Sequence, residues 1–257
     1  MARAERGVRA SVWLVERDTR RGARRPSPLD RERITAATVR LLDAGGLDAF
    51  SMRRLAAELK VTAMSVYWYV DTKDDLLELA LDAVYGELAL PEERDADWRG
   101  PLRALATEYR RLLVRHPWLP PLAGRYLNIG PQALVFARHI HTVMRRAGLP
   151  DEGVPGAISA VFRFVYGYGT VEGHFLGRVT DSGLTPDAYY RQVMDTVGEH
   201  PGTAEAVTGA RDILAARGGA TVADMLDRDF AFALDLLVAG IEAMAARARQ
   251  QGSALEP

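Results

Sequence analysis

Three consecutive aromatic residues, Tyr67, Trp68 and Tyr69, are the side chains in the sequence best suited to chemistry at a surface. They lie in the stretch SVYWYVDTKDDLL, directly before a charged helix start. Phenol oxygens donate and accept hydrogen bonds, and aromatic rings bury large areas in cores and interfaces. The three rings could therefore lie in the core, at a contact between subunits or on nucleic acid, and the neighbouring sequence has to distinguish these alternatives.

The residue types that most often perform catalysis are sparse. The chain has no Cys, which excludes thiol catalysis, disulfides and Cys-based metal sites. His139 and His141 are two residues apart, so on a helix their side chains point about 200° apart and cannot hold one metal ion. The sequence contains no phosphate-binding loop, no nucleophile elbow and no HExxH pattern. We therefore predict no enzyme, no metal site and no cofactor.

Short helices with capping signals surround the aromatic run. Helices are predicted to begin after Asp30, Ser51 and Thr62, whose side-chain oxygens can accept backbone hydrogen bonds. The first is expected to end at Gly45–Gly46, and the third covers only residues 63–69. Two very short helices joined by a tight turn, behind a longer one, form a helix-turn-helix pattern.

A helix this short is not stable alone and must be held by its neighbours. Residues that can supply this inner packing are Leu55, Ala56, Leu59, Val61 and Val66. Small, hydroxyl and aromatic side chains then remain on the outside, where the first turn of a helix in a major groove meets base edges and phenol oxygens reach phosphates. Trp68 is expected to point the other way and pack under the next helix. The alternative is that all three aromatics are core residues.

Charge is divided unevenly along the chain. The first 73 residues hold 15 Lys and Arg against 9 Asp and Glu, whereas the remaining 184 hold 18 against 25. This partition favours a polyanion as the partner of the first part, with a solvated basic tail as the alternative. The densest cluster is RRGARRP, and we expect residues 1–28 to be a basic, flexible extension that lies along DNA or in its minor groove. A cytoplasmic protein without membrane contact is expected, because no apolar run approaches the roughly 18 residues of a membrane span and no signal-peptide core is present.

Residues 32–84, ERITAATVRLLDAGGLDAFSMRRLAAELKVTAMSVYWYVDTKDDLLELALDAV, resemble the DNA-binding domain of the TetR family of transcriptional regulators. The likeness is to the tetracycline-repressor branch, whose recognition helix also carries a Tyr-Trp pair, and it extends more weakly through AISAVFRFVYGYGTVEGHF and the last helix. The resemblance implies an all-α fold with a three-helix helix-turn-helix domain over 29–75. A larger helical domain for effector binding and dimerisation would cover 76–250, and 251–257 would be a disordered tail.

Roles carried over from the family define the predicted DNA interface. The second helix would meet the backbone or groove edge, the third would contact bases and phosphates, and Lys73 at the start of the fourth would bind a phosphate. The residues so placed are Ser51, Met52, Arg53, Ala63, Met64, Ser65, Tyr67, Tyr69 and Lys73. Ala63 stands where the tetracycline repressor has a base-contacting Gln, so we expect a different operator. Asp71, an acid near phosphates, is expected to cap the following helix.

The rest of the chain is predicted to form longer helices, including 99–115, 155–176 and 222–249. The last helix and the 155–176 helix each carry two apolar stripes where a surface helix needs one. We therefore predict a four-helix dimer interface, with intramolecular core as the alternative. Its residues are Phe164, Gly167, Val171, Phe232, Leu236, Ala239 and Ala243.

Effector-contacting residues are harder to predict, because an ordinary protein core contains the same kinds of side chain, which are largely apolar and end in a polar group. The candidates are Tyr109, Trp118, Tyr126, His139 and Phe162. Approximate matching places Leu105, Ala123 and Tyr126 at positions of the tetracycline repressor's ligand-binding residues, which argues against a tetracycline–magnesium ligand.

The sequence thus favours a homodimeric repressor that binds palindromic, double-stranded operator DNA and is released by an unidentified small-molecule effector. Two alternatives remain open: a small-molecule-binding protein or enzyme with a vestigial helix-turn-helix, and a ligand-dependent activator.

Overall fold

The computed structural model describes residues 11–14, 29–92, 97–209 and 218–253. All regular structure in these ranges is α-helical, which confirms the predicted fold class. The chain divides into two compact units, the first comprising Met1–Pro91 and Arg111–His141 and the second Glu92–Arg110 and Thr142–Pro257. None of the helices in the described ranges is long and apolar enough to cross a bilayer.

Among the described residues, seven helices lie wholly or partly in the first unit. Their bounds are α1 Arg31–Ala49, α2 Met52–Glu58, α3 Ala63–Tyr67, α4 Lys73–Tyr85, α5 Arg99–Arg115, α6 Leu119–Arg125 and α7 Pro131–Arg145. Both α5 and α7 also contribute residues to the second unit. Within the first unit, α1 contacts α4 and α2, α2 contacts α3, and α4 contacts α6.

Side-chain caps begin the first three helices as predicted. The carboxylate of Asp30 and the hydroxyls of Ser51 and Thr62 each accept a hydrogen bond from the backbone N–H three residues later. The end predicted at Gly45–Gly46 coincides with a break in α1, because Gly46 has a φ of 67° and a ψ of −175°, which are not helical, and only a short piece to Ala49 follows this kink. Glycine tolerates the positive φ without the steric cost of a Cβ.

Asp71 does not cap α4, contrary to the prediction. The N-cap is Thr72, whose hydroxyl accepts from the N–H of Asp75 at 3.0 Å, while the Asp75 carboxylate accepts from the N–H of Thr72. This reciprocal pair is a capping box, which satisfies two backbone donors at once. Asp75 is thereby buried at the start of α4.

The second unit contains the longest helices of the described chain. Besides parts of α5 and α7, it holds α8 Val154–Ser182, α9 Pro186–Glu199, α10 Pro201–Gly209 and the helix α11, Val222–Ser253. The predicted 99–115 helix matches α5, whereas α8 continues past its predicted end at 176 to Gly183, which adopts a φ of 70°. One face of α11 is buried, and its residues are Phe230, Leu234, Val238, Ile241 and Ala245.

A buried cation joins three helices of the second unit. The guanidinium of Arg110 on α5 forms two hydrogen bonds to the Glu172 carboxylate on α8, at 2.6 and 2.8 Å, and one to Asp227 on α11 at 2.7 Å. It also lies 5.2 Å from the ring centroid of Tyr168 and 4.7 Å from that of Phe230. The buried guanidinium of Arg110 is therefore paired with carboxylates and lies over aromatic rings, as a buried Arg requires.

Candidate nucleic-acid interface

Helix α3 is fixed by its apolar side and leaves its opposite side exposed. Val66 and Val70, four residues apart, are both fully buried. Met64 and Trp68 are 68% and 71% exposed, and Tyr67 is 43% exposed. A five-residue helix gains its stability from such packing, so the exposed side is presented by a fixed scaffold.

The predicted burial of Trp68 is wrong. Helix α3 ends at Tyr67 and Trp68 is its C-cap, still in the right-handed helical conformation. Successive helical residues are about 100° apart, so Trp68 lies opposite both Val66 and Val70. That spacing was available in the sequence and would have placed Trp68 on the outside. It is the largest exposed side chain at this surface.

The turn between α2 and α3 is tight and carries an unusual backbone conformation. Lys60 has a φ of 56°, which only a few per cent of non-glycine residues adopt. The N–H of Val61 donates to the carbonyl of Ala56 at 2.9 Å and closes the turn. The sequence pattern predicted the turn correctly.

The predicted contact residues of α2 and α3 lie as follows. Ser51 and Met52 are half-buried at the start of α2, and Arg53 is exposed. Ala63, Ser65 and Tyr69 are half-buried. The hydroxyl of Ser65 lies 2.9 Å from that of Thr62, so it already has one hydrogen-bond partner and retains capacity for another.

Lys73 has an intramolecular partner at the position where a phosphate contact was predicted. Its ammonium group donates to the carbonyl of Phe50 at 3.0 Å and lies 5.4 Å from the Phe50 ring centroid. Phe50 is the C-cap of α1, so Lys73 ties the start of α4 to the end of α1. The side chain is exposed, and the phosphate contact stays a prediction.

A second contact at the start of α4 comes from the end of α6. The phenol of Tyr126 donates to Asp74 at 3.0 Å, and the guanidinium of Arg125 lies 3.5 Å from the same carboxylate. Burial raises the pKa of Tyr126, and the bond to Asp74 raises it further, so the phenol stays protonated and can donate. A movement of the end of α6 would therefore act directly on Asp74, the residue next to Lys73.

The five candidate effector residues are divided between the two units. Tyr109 and Phe162 belong to the second unit, with ring centroids 6.0 Å apart. Trp118, Tyr126 and His139 belong to the first. Trp118 is buried with its indole N–H donating to Asp43 at 2.6 Å, and His139 bonds the carbonyl of Val135 one turn earlier on α7. Trp118 thus has a structural partner within the first unit.

The second unit contains a different cavity of about 500 Å³ between α8, α9 and α11. Its aromatic wall is formed by Tyr168, Phe175 and Tyr190. Charged side chains at the cavity are Glu172, Arg178 and Asp229. A volume of this size, apolar with a few polar groups, is typical of small-molecule sites.

One face of α8 and α11 exposes large apolar side chains. Val171 is 70%, Phe232 68% and Leu236 59% exposed, and Ala239 and Ala243 are exposed on the same helix. Gly167 is exposed too, while Phe164 is half-buried against Phe230, 5.6 Å between ring centroids. The second apolar stripe of α11 is therefore outside the core of its own chain.

Across the residues that the structure describes, no group of three potential ligands could hold a metal ion. The buried carboxyl group of Asp82 has backbone hydrogen-bond partners. Burial raises the pKa of Asp82, against the lowering effect of backbone hydrogen bonds from Ala133 and Gln132.

Comparison with known proteins matches both parts of the chain to family models. Residues 34–80 match the model of the bacterial regulatory proteins, tetR family, and residues 90–245 match the tetracyclin repressor-like C-terminal domain. An HTH-type transcriptional regulator of Saccharopolyspora erythraea is 36% identical over 198 residues, covering 77% of this chain and 82% of the relative. The HTH-type transcriptional repressor DrrR1 of Streptomyces coeruleorubidus is 31% identical over 236 residues, covering 91% and 85%.

A solved structure is similar over most of the fold. The TetR family protein ActR of Streptomyces coelicolor, in complex with actinorhodin, superposes with a TM-score of 0.68 at 29% identity. The match covers 86% of this chain and 99% of that chain.

Proposed function

Because the chain belongs to the TetR family of transcriptional regulators, we propose that it is a homodimeric repressor that binds operator DNA through α3 and is released by a small molecule. The single observation that carries the DNA-binding part is the exposed side of α3, with Met64, Tyr67 and Trp68 outward and Val66 and Val70 buried. A helix anchored in this way can enter a major groove without losing its own support.

The side chains at this surface suggest which residues contact bases and which contact phosphates. Ser65 and Met64 lie in the first turn of α3 and would contact base edges, while the phenol of Tyr67 and the exposed Arg53 would contact phosphates. Trp68 adds a broad apolar surface at the same face. Phosphate contacts set affinity and salt dependence, and base contacts set sequence preference.

Homodimerisation is supported by the exposed face of α8 and α11. Exposed apolar side chains at this density mark interaction sites in soluble proteins. Gly167 and Gly240 lie inside helices, where Gly costs about 1 kcal/mol relative to Ala. A Cβ at either would meet no atom of its own chain within 4 Å, so their own chain gives no packing reason for glycine. Close approach of a partner's helix supplies one, and two such units match a palindromic operator.

The proposed effector site is the cavity of the second unit lined by Tyr168, Phe175 and Tyr190. These rings suit an apolar small molecule with an aromatic part. The similar protein ActR is bound to a small molecule, actinorhodin, which supports an effector of this general kind for this chain. Val171 belongs to both the cavity wall and the exposed face, so a partner subunit would border the site.

The protein would therefore work in the cytoplasm by binding, without catalysis. The test is fluorescence anisotropy with labelled DNA from the region upstream of its own gene, measured over a range of salt concentrations. We expect salt-dependent binding that is at least roughly 10³-fold tighter than binding to random DNA. The absence of such a difference would refute the proposal.

Variants separate the roles of the surface residues. Trp68→Ala and Tyr67→Phe should weaken binding to all sequences alike, whereas Ser65→Ala should change the preferred base. Leu127→Ala is the matched control, because Leu127 is 58% exposed in the same unit but lies outside α3. Equal losses in Trp68→Ala and Leu127→Ala would place the interface elsewhere.

A further inference from the structure

A short segment near the N-terminus packs against α4. Ser11 and Val12 are 2% and 4% exposed, although they lie outside any helix and outside the matched residues 34–80. One carboxylate oxygen of Glu78 accepts a hydrogen bond from the Ser11 hydroxyl and another from the Val12 N–H at 3.3 Å. Two residues of a segment that was expected to be part of a flexible extension are thus buried, and both donate hydrogen bonds to a carboxyl group of α4.

The next residue of the segment reaches two further elements. The guanidinium of Arg31, the first residue of α1, lies 5.7 Å from the ring centroid of Trp13. Trp13 also borders a small recess with Asp82 and Tyr85 of α4, and with Tyr126 and Asn128 between α6 and α7. The segment therefore contacts α4 and the start of α1, and it borders a recess that the α6–α7 connection also lines.

Burial decreases along the four described residues of this segment. Ser11 and Val12 are buried, Trp13 is half-buried and Leu14 is 63% exposed. The contact depends on Glu78, a buried carboxylate in the middle of α4. The Ser11 hydroxyl and the Val12 N–H supply hydrogen-bond donors to this carboxylate while the segment covers it, as a buried carboxylate requires.

We propose that Ser11–Trp13 is an intramolecular ligand of a recess on α4, and that its docking controls how firmly α1 and α4 together support the recognition helix for DNA. Lys73 fixes the start of α4 to the end of α1, and the docked segment joins the middle of α4 to the start of α1. Helix α1 contacts both α4 and α2, and α2 contacts α3, so with both links present the support of α3 passes from α4 through α1 and α2. With the segment undocked, α3 samples more orientations and DNA binding loses pre-organisation. This regulation rests on the proposed DNA-binding function.

The test places a like charge in the recess of the full chain. Ser11→Asp brings a carboxylate against Glu78, and the double variant Ser11→Asp/Glu78→Gln removes that repulsion and restores a donor for the new carboxylate. Ser11→Ala only removes the hydroxyl and should act in the same direction by a smaller factor. Leu14→Ala is the control, because its exposed side chain lies in the same segment.

Two measurements are made on each variant: amide hydrogen exchange of residues 76–85 and affinity for the upstream DNA used above. Ser11→Asp should speed exchange in α4, because two carboxylates in contact disfavour the docked state by more than tenfold. The loss of docking should in turn weaken DNA binding, by roughly tenfold if the docked state is needed for full affinity. The double variant should recover most of both effects, and Leu14→Ala should leave both unchanged.

Unchanged exchange in Ser11→Asp would overturn the docking, and faster exchange with unchanged DNA affinity would overturn the control of DNA binding. Failure of the double variant to recover would overturn the role of the Glu78 contact. If the wild-type chain itself does not bind the DNA, the proposed function fails, and the exchange data still decide whether the segment docks.

Discussion

Truncation of Leu236 gives the most direct test of the dimer face, and its size can be worked out from exposure. Burying a whole leucine side chain contributes about 1.5–3 kcal/mol. Leu236 is 59% exposed in the single chain, so a partner that covers it would add about 1–2 kcal/mol. A two-fold interface uses the residue twice, which gives about 2–4 kcal/mol per dimer. Leu236→Ala should therefore weaken dimerisation by about 30- to 700-fold.

The assay is sedimentation velocity over a dilution series, which gives the dimer dissociation constant directly. Leu184→Ala is the matched control, since Leu184 is 40% exposed in the same unit but lies between α8 and α9, away from the exposed face. We expect Leu184→Ala to dimerise like the wild type. Equal dissociation constants for the two variants would mean that the exposed stripe of α11 is not the interface. DNA binding should fall together with dimerisation in Leu236→Ala, because each monomer would then bind its half-site alone, without the gain in affinity that a linked second subunit gives.

Two further predictions concern buried charges. Arg110→Leu leaves Glu172, 11% exposed, without its cation. It should lower the free energy of unfolding, measured by urea denaturation at fixed protein concentration, by about 3–5 kcal/mol. The double variant Arg110→Leu/Glu172→Leu should recover most of this loss, and no recovery would refute the pairing argument. His116 has Asp43 at 2.6 Å and Glu87 at 3.1 Å from its two ring nitrogens. Burial lowers its pKa but these bonds raise it more, to above 6.5. The stabilisation is therefore complete below about pH 6.5 and lost as pH rises through the folded pKa. The stability difference between wild type and His116→Gln should shrink from about pH 6 to pH 9, and a constant difference would exclude a charged His116.

The elements that the sequence predicted well are those set by local rules. Capping residues and four-residue apolar spacing act within one or two turns, so Asp30, Ser51 and Thr62 were identified as helix starts from sequence alone. The error at Trp68 was also local, because the Val66 and Val70 pair already defines the buried side of α3. Helical spacing relative to that pair places Trp68 on the exposed side of α3.

The long-range contacts could not be predicted in this way. Trp118 bonds Asp43, which lies 75 residues earlier, and nothing in the spacing of apolar residues reports that pairing. The same holds for Lys73, whose phosphate role came from family likeness while its observed partner is a carbonyl 23 residues away. Such partners depend on how helices pack, and a single sequence gives no measure of that.

Helix α4 collects these long-range contacts at successive positions. Lys73 contacts the end of α1, Asp74 contacts the end of α6, and Glu78 contacts the N-terminal segment. Each partner is encoded far from α4 in the sequence, and each contact is a hydrogen bond that one substitution can remove. Because α4 contacts α1, and α1 and α3 both contact α2, the loss of any of these bonds should reach the recognition helix through α1 and α2.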